Sequence, residues 1–203
     1  MSKARLETFT DGVIAILITI MVLELRVPHG TSLGARRPLI PTLLTYTMSF
    51  IFLGIYWNNH HHMFHAVDHV NGAILWANMH LLFWLSLVPF VTGWMGENSF
   101  AALPTAIYGC VLFLAAIAYT ILVYAIIAHQ GPHSKLRSAI GNDVKGKISA
   151  ALYVVAIPVA FVNRWIAFAI YLTVSLIWLV PDRRIEEKVE SGSLPNHEGH
   201  RPE

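Results

Sequence analysis

The sequence predicts an all-α integral membrane protein, and three observations carry that prediction. Of 203 residues, 55% are apolar and 13% are charged, whereas a soluble domain carries about 25% charged residues. Mean hydropathy is +0.55. The apolar positions gather in long charge-free intervals, and at roughly 20 residues per span they suffice for five or six membrane helices. No sizeable soluble domain fits beside them.

Six such intervals are expected to be the spans: Gly12 to Leu23, Pro38 to Trp57, Asn71 to Gly96, Asn98 to Ala128, Ile148 to Asn163 and Trp165 to Pro181. Gly and Pro punctuate between them, at Pro28-His29-Gly30, Gly93 to Gly96 and Gly131-Pro132. Pro89, Pro104 and Pro158 fall within or near apolar runs, where a membrane helix tolerates a kink. Residues 1–181 thus form one transmembrane domain. The polar segment 182–203 reads as a disordered cytoplasmic tail.

An even number of spans puts both termini on one side. That side, with the 58–70 and 129–147 connections, holds ten Lys and Arg residues, and the other holds Arg26, Arg36, Arg37 and Arg164. The positive-inside rule then places both termini in the cytoplasm. A formal net charge of +2 is too small to point to nucleic acid. The single cysteine, Cys110, sits in an apolar run and builds no disulfide framework.

The first span is the informative one. Between Asp11 and Glu24 lie uncharged residues 12–23, about 18 Å of helix against a hydrocarbon core near 30 Å. Either the bilayer thins, or these carboxylates sit at membrane depth facing protein or water. At 100° per residue, Gly12, Ile16, Thr19, Ile20 and Leu23 share one face. Such a stripe serves either helix packing or a pore wall. As a pore wall it would be an aliphatic constriction with a hydroxyl layer, and it would demand an oligomer, because one subunit cannot close a ring alone.

The run from Arg5 through Phe9, Thr10, Asp11 and Gly12, followed by an Ile-rich helix closing on Leu23-Glu24, resembles the R-x-x-x-F-[ST]-D signature of the transmembrane-protein-175 family. Trp57-Asn-Asn-His60-His61-His62-Met-Phe64 is similar to that family's W-x-x-H-H-x-x-F pattern, and Trp178-Leu-Val-Pro-Asp-Arg-Arg extends the likeness to the end of the last span. The resemblance implies a passive potassium-preferring cation channel of the prokaryotic cell (inner) membrane. It further implies six helices per subunit and a homotetramer around a central pore lined by helix 1. Ile16, Thr19 and Leu23 then form the narrowest part, with Ile20 beside them. Arg5, Phe9, Asp11 and Trp57 support that fold without touching the ion, and Arg5 is expected to bond toward Trp57 and His60 or His61. Potassium is the permeant species and no cofactor is implied. No carbonyl filter of the TVGYG kind is present, so selectivity rests on side chains and pore width.

His60, His61, His62, His65 and His69 form the densest polar feature. Interfacial capping, proton sensing and metal binding by His61, His62, His65 and His69 are its three readings. Two alternatives to a channel remain: a proton-coupled secondary transporter using Asp11 and these histidines, and a histidine-box membrane metalloenzyme. The enzyme has the weaker case, with one HxxxH unit at His129 and His133 and Ala66 where an HxxHH pair needs its second histidine. His80, alone in the third span, is expected to be packed inside.

Overall fold

The computed structural model describes residues 2–25, 27, 39–67, 69–131, 134–140 and 143–179. The expected tail over 182–203, His133, and Arg26, Arg36 and Arg37 of the first connection lie outside the described residues. The described chain is helical: α1 (Lys3–Leu23), α2 (Leu39–His65), α3 (Gly72–Ser86), α4 (Val88–Glu97), α5 (Ala102–Gln130), α6 (Lys135–Ile140), α7 (Val144–Val162) and α8 (Arg164–Leu179). Five stretches are long and apolar enough to cross a membrane: α1, α2, α3 with α4, α5 and α7. The shorter apolar α8 follows them.

The first span is not short. Its helix runs back from Asp11 to Lys3, giving 21 residues, or about 31 Å, the thickness of a hydrocarbon core. Charge-free counting finds the apolar part of a helix, whereas the backbone continues through exposed Arg5 and Asp11. The second helix likewise extends past Trp57 to His65, so the histidines assigned to a connection ride on its last turns.

The third span breaks as its proline requires. Pro89 occupies the first turn of α4, where the missing N–H has no intrahelical acceptor to lose, and α3 ends at Ser86. After α4 the chain turns back through Ser99 (φ 50°) and Phe100 (φ 59°). That left-handed backbone is costly for a phenylalanine. Burial of the ring offsets it, against Trp165 at 5.1 Å and Phe168 at 4.9 Å between centroids. Gly131 (φ 89°) ends α5, and the Asp143 side chain caps α7 by accepting from the Gly146 N–H at 3.1 Å.

The central helix is α5, packed by α3, α4, α7 and α8. Leu112, Ala115, Ala118, Leu122 and Ile126 along it are fully buried, and its small residues admit close neighbours. Hydroxyls inside the bundle are satisfied by one another and by backbone carbonyls. Ser49 bonds Thr92 at 2.6 Å and Tyr108 at 3.0 Å, and the Tyr171 hydroxyl donates to the Thr105 carbonyl at 3.2 Å.

Helices α2 and α4 approach backbone to backbone at Gly96. A Cβ there would stand 2.8 Å from Thr42 Cα, and backbone does not yield as a side-chain tip does. Gly96→Ala is therefore expected to cost about 1–3 kcal/mol through overpacking. It should lower the thermal midpoint in detergent, while Gly54→Ala, whose Cβ meets nothing within 4 Å, should not lower it.

Candidate functional site

Helix α1 has two distinct faces. Leu6, Thr10, Ile14, Leu17 and Met21 are buried against α2, α3 and α4. About 130° around the helix, Ile16 is 59% exposed, Ile20 40% and Leu23 76%, and Gly12 and Thr19 are exposed with them. The stripe expected to line a pore is thus the stripe that this subunit leaves uncovered. Phe9, 50% exposed, continues it toward the N-terminus.

Thr19 donates its hydroxyl proton to the Ala15 carbonyl at 2.9 Å. With that proton committed to its own helix, the oxygen offers lone pairs outward, which suits a cation and not an anion. The neighbouring side chains are aliphatic and shed water. The face therefore combines large aliphatic side chains with a layer of hydroxyl acceptors.

Two hydrogen-bonded sets hold this helix in place. In the buried set, the His60 Nε2–H donates to Asn78 Oδ1 at 2.9 Å, and Asn78 Nδ2 donates to Thr10 Oγ1 at 2.9 Å. His60, Asn78 and Thr10 are at most 2% exposed, so a single amide ties α1, α2 and α3 together. In the second set, Trp57 Nε1–H donates to Asp11 Oδ1 at 2.9 Å. The Trp57 ring lies nearly parallel to His61, with centroids 6.0 Å apart, and His61 and His65 share an N–H···N bond of 3.0 Å. The Asp11 carboxylate thus has a protein donor on α2.

These geometries adjust several expectations. Trp57 is held by Asp11 and His60 by Asn78, whereas Arg5, expected to bond toward them, is exposed. At 100° per residue it stands five turns below Leu23 on the uncovered stripe. The proposed metal set does not assemble: among the described residues no three of His, Cys, Asp and Glu gather to hold an ion. His61 and His65 are one turn apart and meet, but His62 is 100° around the helix and His69 lies beyond its end. Of the HxxxH unit, His129 accepts from Asn71 Nδ2 at 3.1 Å, and His133 lies outside the described residues. His80 is not packed inside; it is exposed and accepts from Trp84 Nε1–H at 2.9 Å.

Asn78 is the residue that sequence reasoning missed. Its signal was present: an amide in the apolar run Asn71 to Gly96, where bilayer offers no partner and protein must.

Known proteins align with this chain over nearly its whole length. A Chryseobacterium protein named a potassium channel is 54% identical over 190 residues, covering 94% of this chain and 99% of its own. A Streptomyces collinus protein, also named a potassium channel, is 27% identical across 87% of this chain and 91% of its own. The crystal structure of a lysosomal potassium-selective channel TMEM175 homolog from Chamaesiphon minutus superposes with a TM-score of 0.78. It is 26% identical, covering 89% of this chain and 97% of that one. Residues 5–89, from α1 through α3 and into α4, match the family described as endosomal/lysosomal potassium channel TMEM175. With a relative of this identity matched along almost its full length, the chain belongs to the TMEM175 family, whose members are channels and not enzymes.

Proposed function

We propose that this chain is one subunit of a passive potassium channel, in which four copies of α1 surround a central pore, Ile16, Thr19 and Leu23 form its narrowest part and Ile20 lines it beside them. The carrying observation is the uncovered stripe: large aliphatic side chains at 40–76% exposure on a helix whose other face is tightly packed. Four-fold symmetry places such a stripe at an axis, where it meets its own copies instead of lipid. Helix α8 serves as the sixth span. Both termini then face the cytoplasm of a prokaryotic cell, the orientation that the Lys and Arg distribution favours.

Thr10, Asp11, Trp57, His60 and His61 support the pore helix, while Arg5 and Phe9 extend the open stripe toward the N-terminus. The Asp11–Trp57 and Thr10–Asn78–His60 bonds link it to α2 and α3, so the constriction is held by protein on one side only. Ions pass as the aliphatic layers wet, and the Thr19 oxygens replace part of the hydration shell.

Purified protein reconstituted in liposomes is expected to pass potassium down its gradient, with unitary currents in planar bilayers and a smaller sodium flux. Flux that saturates and depends on an opposing proton gradient would mark a coupled carrier instead. Absence of unitary currents at any voltage would sink the channel.

A further inference from the structure

We propose that a surface cavity at the end of α5 binds the headgroup of an anionic phospholipid. The cavity, about 400 Å³, is lined by Tyr124, Ile127, Ala128, Gly131 and Arg137. Its depth follows from helix length. With 29 residues, α5 measures about 43 Å and overruns a 30 Å hydrocarbon core by about four residues at each end if centred in it. Ile127 to Gly131 then stand at headgroup level, with Tyr124 at the boundary where tyrosines favour the interface.

The chemistry of the lining fits a lipid better than a free anion. Tyr124, Ile127 and Ala128 offer an aromatic and aliphatic wall for the glycerol and first methylenes, and Arg137 supplies the charge. Its guanidinium is exposed and has no ion pair among the described residues. Its backbone is fixed by capping, with the Arg137 N–H donating to Ser134 Oγ at 3.2 Å. The sequence around it is basic, with Lys135, Arg137, Lys145 and Lys147 within residues 131–147. An arginine beside an aromatic and aliphatic wall at this depth suits an anionic headgroup, because a guanidinium engages phosphate through paired donors.

The test is native mass spectrometry of the full chain in neutral detergent, titrated with phosphatidylglycerol or phosphatidylcholine. Wild type is expected to retain phosphatidylglycerol about tenfold better, a difference of about 1.4 kcal/mol. Arg137→Gln should erase the preference, and Arg137→Lys should keep part of it. Ala128→Trp, which fills the cavity and leaves the charge, should lose both lipids. Equal retention of the two lipids by wild type, or undiminished phosphatidylglycerol on Arg137→Gln, overturns the proposal. So does displacement by glycerol phosphate at equal concentration, which would assign the site to phosphate alone. A changed oligomer mass in Arg137→Gln with unchanged lipid retention would make the cavity a subunit contact, and overturns it equally.

Discussion

Ile16→Asn is expected to raise basal potassium flux about tenfold. A ring of isoleucines resists wetting because no group in it bonds water, and the unwetted gap is the barrier to an ion. An asparagine of similar length brings donors and acceptors to each of the four proposed positions. A tenfold rise corresponds to a barrier lowered by about 1.4 kcal/mol, a modest demand on four amides. The control is Val22→Asn. Val22 is 44% exposed on the same helix, but it lies 120° from Ile16 and off the stripe, so its polar variant should leave flux near wild type. Discrimination against sodium should fall with Ile16→Asn, since a wetter constriction strips less of the hydration shell. Equal flux in Ile16→Asn and wild type removes Ile16 from the narrowest layer; a rise with Val22→Asn places the pore on another face.

Asn78→Leu is expected to loosen the whole signature region. Leucine matches asparagine in size, so packing is kept and two hydrogen bonds are lost, one from His60 and one to Thr10. Buried hydrogen bonds between membrane helices average about 0.6 kcal/mol, but groups orphaned in place cost about 1–3 kcal/mol each. A net loss near 2 kcal/mol follows, or a midpoint lower by about 4–8 °C for a chain of this size. The triple variant Thr10→Val, His60→Leu, Asn78→Leu replaces every member by an apolar group and should recover most of that stability, because no unpaired polar atom remains. An unchanged midpoint in Asn78→Leu would show that the amide does not hold the three helices together. The recovery separates a hydrogen-bond effect from a packing effect, which the single variant alone does not do.

Much of the candidate site was legible because its logic is local. The 100° step of a helix places Ile16, Thr19, Ile20 and Leu23 on one face whatever surrounds them, and a hydropathy of this size leaves only a bilayer as solvent. The boundaries were less legible. Counting between charges ended the first span at Gly12 and the second at Trp57, whereas the helices run to Lys3 and His65. Histidines, Arg5 and Asp11 do not interrupt a backbone whose hydrogen bonds are all internal. The interior placement of His80 failed for a related reason: an isolated polar residue in an apolar helix needs a partner, and Trp84 one turn on supplies it without burial.

Composition, charge-free runs and helical periodicity sufficed to decide the solvent, the helical class and the two faces of α1, because each depends on residues within a few turns of one another. Only the tertiary structure decided which face is packed and which is left open, and which side chains hold it. Asp11 and Trp57 are 46 positions apart, and Asn78 is 68 from Thr10. No spacing rule joins such residues, since their meeting depends on the angle at which α1 crosses α2 and α3. That angle is set by the burial of Leu6, Ile14, Leu17 and Met21, the apolar seam opposite the stripe.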